Sequence, residues 1–581
     1  MFHGIEFDPG YNRLALDLSF LSGESKITQK PVDPEDPYQA PHRGLFYKTI
    51  KAEGVNRRYA VYIPDRFPPF GDGILLFAPG GENTESFIEK SGIMEIAEKK
   101  TLMFLVLESA EKSWREWKEE EILAYGRTVY RDINRRELCS WNESACYAVG
   151  LKDGAYAGNV FISLYSSVFA GCVLAGNSAV SEEFRKAAGN LPSDGDPHVQ
   201  KRQVPISVWI MGDDEETCRY FQQADRVSAE YAVRDEIRMF QPEPDLVISL
   251  VDEQSVAEVW VSSPETAAAW SKERFWEEAT SFLLRCKRWA GTGNRKLRRA
   301  SSLDQIGLKK MELTVEGKKR FWYIYEPSVY RQNPEQKLPL VIGLHGICTS
   351  GEFFAQNSEW HRVAEARGFF MVYPNGYMHL YGECMCATRA WAGAGMEMPD
   401  DWDDIPFFKA MIETLCHKYP VDRSRIYAAG HSNGSAMVQM LIQKMPSTFA
   451  AYGPNGFAEG DTGPGAGPLK PYEHHIVCPA WLFKGEKDIG CGASLEAGCP
   501  NEQVLRRLCR LNGADYEKPK IYKNGIYTNY VWYDREHTPV VRFSALRGFP
   551  HAYTPENAWM TWDEYFCHFR RNEDGSSEYL G

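Results

Sequence analysis

The chain has 581 residues, 43% of them hydrophobic, and a formal charge of -13. That length predicts more than one domain, each with enough apolar residues for a full core. The acidic balance excludes a general nucleic-acid or anionic-membrane partner, and no uninterrupted apolar run approaches the length of a membrane span.

In chain order, residues 1–44 come first. They start Met-Phe-His-Gly-Ile-Glu6 without the basic region of a secretory leader, so the expected location is cytoplasmic. Pro31, Pro34, Pro37 and Pro41 predict an extended arm over the surface or toward a partner chain. Residues 45–290 alternate strands and helices, which predicts a mainly parallel sheet with helices on both faces. The strand-like runs include Arg57-Arg-Tyr-Ala-Val-Tyr-Ile-Pro64, Gly73-Ile-Leu-Leu-Phe-Ala-Pro-Gly80-Gly81, Ala145-Cys-Tyr-Ala-Val-Gly150 and Val208-Trp-Ile-Met-Gly212. From Arg285 to Arg299 there are seven Lys/Arg and no acid, around Gly291-Thr-Gly-Asn294. This predicts an exposed basic linker over 291–307, with nucleic-acid binding as the remote alternative. The second domain then spans 308–581.

There, Leu338-Pro-Leu-Val-Ile-Gly-Leu344 predicts a strand, followed by His345-Gly346-Ile347-Cys348. A loop at this place can aim a backbone N–H at a developing oxyanion, with Ile347 the first choice of donor and Cys348 next. His345 shapes this loop, beside the substrate, and is not a base. Tyr377 to Asp404 is a long segment with Trp391, Trp402, Met396 and Met398, expected to border a cleft. Trp391 and Trp402 are candidate apolar walls for an acyl or phenolic group, or else core residues.

Arg425-Ile-Tyr-Ala-Ala429 runs into Gly430-His-Ser432-Asn-Gly434 and then a helical pattern from Ser435 to Met445. Strand, G-x-S-x-G and helix is the sequence form of a nucleophile elbow, where only small neighbours fit a strained turn. Asn433, next to the serine, is the second oxyanion donor. Serine needs a base and an orienting acid, which in this class of fold follow it in the order acid, then histidine. Pro479-Ala-Trp-Leu-Phe483 leads to Lys484-Gly-Glu-Lys-Asp488, and Asp488 is the chosen acid, with Glu486 and Asp534 as other options. His551, in Arg547-Gly-Phe-Pro-His551 after the run Val540–Leu546, is the chosen base over His474, His475 and His568.

The first half repeats this order. Lys152 takes the serine position, Glu215 the Asp488 position, and Trp260-Val-Ser-Ser-Pro264 near the His551 position holds no histidine. Ala269–Trp276 is paired with Ala558–Tyr565. Tandem α/β-hydrolase domains are therefore expected, the first without chemistry. Its expected role is to pack on the active domain, shape its cleft or mediate homo-oligomer assembly. The 14 cysteines are scattered; Cys384-x-Cys386 and Cys491/Cys499 lack zinc spacing, so no metal and free thiols are expected. A disulfide near the site is the alternative for an exported chain.

Leu-His345-Gly346, Val421-Asp422-Arg423-Ser-Arg-Ile-Tyr427, Gly-His-Ser432-Asn-Gly, Gly-Glu-Lys-Asp488 and Gly-Phe-Pro-His551 occur in that order. Together they resemble the polyhydroxybutyrate depolymerase-like esterases, a group that includes feruloyl and acetylxylan esterases, over roughly residues 310–572. The resemblance implies an α/β-hydrolase fold, a carboxylester substrate and catalytic roles for Ser432, Asp488 and His551. The start without a leader favours small soluble esters of hydroxycinnamoyl or hydroxyacid type, the mechanism requires no cofactor, and a peptidase or thioesterase on the same fold, or a non-enzymatic tandem scaffold, is the alternative.

Overall fold

The computed structural model describes residues 26–29, 42–68, 70–109, 112–133, 140–189, 205–242, 256–288, 297–381, 386–395, 402–461 and 469–581. It divides into two compact units, Met1–Ala300 with Leu380–Ala387 and Ser301–His379 with Thr388–Gly581. Each unit is built on one large sheet.

In the first unit the sheet runs Lys26–Gln29, His42–Ala52, Val55–Ile63, Met103–Leu107, Phe70–Phe77, Ser140–Leu151, Gly171–Ala175, Ser207–Met211, Val259–Ser262, Ile237–Pro242, Val227–Arg234. In the second it runs Lys309–Val315, Lys318–Tyr325, Phe370–Pro374, Leu338–Leu344, Val421–His431, Ala451–Asn455, Ala480–Lys487, Val541–Pro550, Tyr527–Trp532, Lys520–Asn524. Apart from the extra edge strand Lys26–Gln29, the order is the same. So is the direction: antiparallel pairs at both ends and six adjacent parallel strands in the middle. Two α/β-hydrolase sheets in tandem are thus present.

The middle strands are apolar on both faces because helices cover both. Leu338–Leu344, Phe370–Pro374 and Met103–Leu107 are buried at every position. The outer strands Val227–Arg234 and Lys520–Asn524 are largely exposed and carry charge, which discourages pairing with another sheet. Helix starts are written in the sequence. Asn83, Ser271, Ser350 and Thr554 each cap a helix with the side-chain oxygen, and Pro500 and Pro555 occupy first-turn positions where no N–H is needed.

The likeness reaches individual side chains. Tyr62 donates to Glu98 at 2.7 Å, and Tyr325 to Glu365 at 2.7 Å. Trp209 Nε1 donates to Ser262 at 3.2 Å, and Trp481 Nε1 to Ser544 at 2.8 Å. Tyr147 reaches the carbonyl of Cys286, and Tyr427 that of Phe569, each at the start of a closing hairpin. Buried Arg288 donates to the Phe169 and Pro205 carbonyls, and buried Arg571 to those of Phe449 and Val477.

Three expectations change here. The basic run is not an exposed linker: Cys286–Arg288 and Leu297–Arg299 form the hairpin that closes the first unit, with Arg288 only 1% exposed. Its charge is stabilised by carbonyl oxygens rather than water. Residues 291–294 lie outside the described residues, and the first unit ends at Ala300. The pairing of Ala269–Trp276 with Ala558–Tyr565 is out of register, because the caps Ser271 and Thr554 correspond and so set Trp276 against Trp559. Of the expected N-terminal arm, Lys26–Gln29 is a strand paired with His42–Leu45, and Pro31, Pro34, Pro37 and Pro41 lie outside the described residues. No helix among the described residues is long and apolar enough to cross a membrane.

Candidate active site

Ser432 stands between the strand Val421–His431 and the helix Asn433–Lys444 at φ 57°, ψ -119°. That conformation is strained for a residue with a side chain and is held by its surroundings. The serine N–H donates to the Asn455 carbonyl at 2.9 Å. A Cβ on Gly430 would lie 2.5 Å from the Gly434 carbonyl oxygen, and one on Gly434 2.2 Å from that of Leu344. The two glycines are therefore required by strand–helix contact.

His551 Nε2 lies 2.8 Å from Ser432 Oγ, and His551 Nδ1 lies 2.5 Å from Asp488 Oδ1. The carboxylate fixes the tautomer: Nδ1–H donates to Asp488, so Nε2 accepts from the serine hydroxyl. Asp488 also accepts from the N–H groups of Ile489 and Gly485. Burial alone would raise its carboxyl, but the hydrogen bond and charge of His551, with lesser help from His431 and Lys484, hold it below the ordinary carboxylate range. Glu486 accepts instead from Gly548 N–H, and Asp534 from its own turn, so neither meets the imidazole.

Asn433 follows the serine in sequence, and Ile347 follows Gly346, which lies against it. Among the described residues neither N–H has a hydrogen-bond partner, whereas Cys348 N–H is engaged by the Arg389 carbonyl. Gly346 lies so close that a Cβ there would be 3.3 Å from Ser432 Cβ. The loop is tied down by His345, whose Nδ1–H donates to the Gly346 carbonyl at 2.7 Å while Nε2 accepts from Gly376 N–H at 2.9 Å. Burial pushes the His345 imidazole down to about 3, so it stays neutral. The Asn433 side chain clamps Trp391, accepting from its N–H at 2.7 Å and donating to its carbonyl at 2.9 Å.

His345 and Trp391 are both fully buried, so neither offers a face to a substrate. Trp391 is a core residue whose indole N–H donates to the His345 carbonyl. Trp402 is half-buried, stacked on Tyr377 at 4.5 Å, with the Lys318 ammonium 3.5 Å from its ring. Its indole N–H bonds Asp404, which also pairs with buried Arg320. Trp391 therefore has no surface for an acyl wall, whereas Trp402 is stacked on one face and keeps part of its surface exposed. Met396 and Met398 lie outside the described residues. Cys348 is disulfide-bonded, against the expectation of free thiols, while ten other described cysteines are free.

Sequence reasoning missed three contributors. His431 packs on His551 with ring centroids 4.7 Å apart; burial pushes it down to about 3, so it is neutral beside the imidazole. Gly456, at φ 76°, leaves room for both rings, since a Cβ would lie 2.9 Å from His431 and 3.4 Å from His551. Lys484 forms a buried ion pair with Asp461 beside the Asp488 turn. Its signal was a lysine directly after the apolar run Ala480–Phe483.

A hydroxyl on an imidazole on a buried carboxylate, with two free N–H groups alongside, can attack a carbonyl and stabilise the resulting oxyanion. In the first unit, Lys152 keeps the elbow at φ 54° and donates its N–H to the Ala175 carbonyl. Asp153 follows it, where Asn433 follows Ser432. Its carboxylate accepts from Gly80 N–H at 2.8 Å, and from Ser113 and Trp114. Gly80 is the third residue beyond Phe77, as Ile347 is the third beyond Leu344, so the matching donor is taken. The Lys152 ammonium pairs with Glu82. Ala268, three residues before the cap Ser271, stands where His551 stands before Thr554.

Residues 325–462 match the family model described as "Esterase PHB depolymerase". The chain is similar to the bifunctional acetylxylan esterase/xylanase XynS20E of Neocallimastix patriciarum, 26% identical over 144 residues, 24% of this chain and 18% of that protein. It is also similar to the putative esterase NocK of Nocardia uniformis subsp. tsuyamanensis, 27% identical over 222 residues, 35% and 60% of the respective chains. The chain thus spans less than two thirds of the length of these relatives. Among solved structures, an acetyl xylan esterase from Aspergillus awamori aligns at 16% identity over 45% of this chain and 99% of its own, with a TM-score of 0.34. The sequence similarity is to carboxylic ester hydrolases. The family match ends before Asp488 and His551, which join the site through the fold.

Proposed function

We propose that the second unit is a serine carboxylester hydrolase. Ser432 attacks the ester carbonyl, His551 takes its proton and returns it to the leaving alcohol, and Asp488 orients His551 and stabilises its charged form. The N–H groups of Ile347 and Asn433 hold the oxyanion. Water activated by His551 then clears the acyl-enzyme. The observation that carries this reading is the His551 bridge, 2.8 Å to Ser432 and 2.5 Å to Asp488. Small soluble esters of hydroxycinnamoyl or hydroxyacid type are the proposed substrates, with acetyl esters added by the name of the acetylxylan esterase relative. The first unit is proposed to be a degenerate copy, inactive in ester hydrolysis and retained for structure or assembly. The test is a panel of acetyl, feruloyl, thioester and peptide substrates with a serine-directed phosphonate. Labelling of Ser432 and turnover of the oxygen esters is expected; a folded protein with no labelled serine contradicts the reading.

The cytoplasmic location expected from the first residues fits poorly with the Cys348 disulfide, since reducing compartments keep thiols apart. We therefore favour an oxidising location. Thiol titration of unfolded, unreduced protein purified from its native source tests this: recovery of all 14 cysteines as thiols would restore the cytoplasmic expectation.

A further inference from the structure

A lysine inside a hydrolase core needs a reason, because burying an ammonium is costly unless it is paired. The Lys484 side chain is 2% exposed and that of Asp461 0%. Their ion pair joins the strand Ala480–Lys487 to the loop that follows Ala451–Asn455, and both lead to the site. Lys484 is followed by Gly485, whose N–H donates to Asp488 at 3.3 Å. Asp461 accepts from Ala458 N–H at 2.7 Å and lies against Gly490, where a Cβ would come within 2.5 Å of Asp461 Oδ1. The pair therefore grips the Asp488 turn from the residue before it and the residue after it. On the other side, the strand preceding Asp461 carries Asn455, which receives the Ser432 N–H, and runs into Gly456, which lies against His431 and His551.

We propose that Lys484 is a positioning residue for the ester hydrolysis assigned to this unit: paired with Asp461, its ammonium fixes the Asp488 turn and sets the charge balance behind His551. This rests on the esterase reading. Among the described residues, the groups acting on Asp488 are His551, His431 on the elbow strand and Lys484, which is paired with Asp461; nearby Glu486 bonds Gly548 N–H, and Cys491 lies within reach of the Lys484 charge. His431 is neutral at working pH, so among the described neighbours the Lys484 ammonium is the lasting positive charge that favours the Asp488 carboxylate. Burial pushes the Asp461 carboxyl up, and the Lys484 charge and the Ala458 N–H offset part of that rise.

The two halves of the pair should move the site in opposite directions, which a plain structural contact would not do. The test compares wild type, Lys484→Met and Asp461→Asn by the acid limb of kcat/KM and by NMR titration of the His551 imidazole. Losing the cation is expected to raise the limb by about one pH unit. Losing the anion while keeping the cation is expected to lower it by a similar amount. Asp461→Asn preserves shape and the Ala458 contact, so it decides alone if Lys484→Met does not fold. Folded variants whose limbs coincide with wild type, whatever their loss of rate, overturn the assignment. So does unfolding of both variants, which would make the pair a scaffold contact only. The esterase reading fails separately, when Ser432→Ala hydrolyses as fast as wild type. Unchanged limbs in variants whose activity still depends on Ser432 sink the Lys484 assignment alone.

Discussion

The two elbows of this chain have the same backbone and opposite electrostatics. Ser432 and Lys152 both turn at positive φ, and both hand their N–H to a carbonyl of the next strand. Gly430 and Gly434 have close counterparts in Gly150 and Gly154, each crowded by backbone oxygen. One residue later the units part. Asn433 points its amide at Trp391 and leaves the Ile347 N–H free, whereas Asp153 places a carboxylate on the Gly80 N–H. Burial would raise Asp153, but its donors Ser113, Gly80 and Trp114 outweigh that and hold it ionised. An anion then sits where an oxyanion would have to form. Packing that builds an elbow is thus separable from the charges placed around it.

The strongest way to break this contrast is to exchange the nucleophiles. Ser432→Ala is expected to lower ester hydrolysis on the order of a million-fold. Lys152→Ser in that background should restore nothing, because Asp153 fills the hole and Ala268 replaces the base; any recovered turnover by the first unit would contradict the contrast. A milder graft is Asn433→Asp. If its carboxylate captures Ile347 N–H as Asp153 captures that of Gly80, kcat falls on the order of 100- to 1,000-fold with little change in KM. Retained kcat would show that the hole tolerates the anion.

Trp391 sharpens the comparison differently. Its counterpart Trp114 makes the same two bonds, indole to the Ala78 carbonyl and N–H to Asp153. A tryptophan kept by both units is a packing residue. Trp391→Ala should therefore cost about 3–5 kcal/mol of stability. A stable variant with altered acyl preference would return Trp391 to the cleft wall.

The smallest expected effect concerns Asp225 and Asn512. Asn512 accepts from Cys478 N–H and donates to two carbonyls. Asp225 accepts likewise from Ile206 N–H, but its second oxygen is enclosed without a partner among the described residues. Burial raises its carboxyl well above the usual value. The folded form then holds a proton the unfolded chain has lost, so wild-type stability falls as pH rises above the unfolded carboxyl value of about 4. Asp225→Asn should remove that slope, so its advantage over wild type grows from pH 5 to pH 7.5. Equal melting temperatures for both proteins at pH 5 and pH 7.5 would show that Asp225 is ionised and solvated.

Parts of this were legible in the sequence because backbone contact dictates residue type. Gly430 and Gly434 admit no Cβ, and buried parallel strands must be apolar on both faces, so elbow and sheets left clear marks. Chain order then led to Asp488 and His551, which the fold brings to Ser432. Other features leave no such mark. A tryptophan in a glycine-rich loop reads alike whether it faces a cleft or the core, so the sequence leaves Trp391 open between the two. A charge run reads as solvated, yet Arg288 is satisfied by carbonyl oxygens that only the folded chain gathers. Repeated tryptophans suggest one register for the final helix, whereas the N-caps Ser271 and Thr554 set another. The Cys348 disulfide has no local signature, because its partner is chosen by the fold.

The most direct test of the central claim is hydrolysis of p-nitrophenyl acetate and methyl ferulate by wild type and Ser432→Ala, side by side, with folding checked by circular dichroism. Activity in wild type that vanishes in the folded variant is the expected result, and the ratio of the two rates reports the acyl preference. Equal hydrolysis by both proteins would contradict a serine esterase at Ser432.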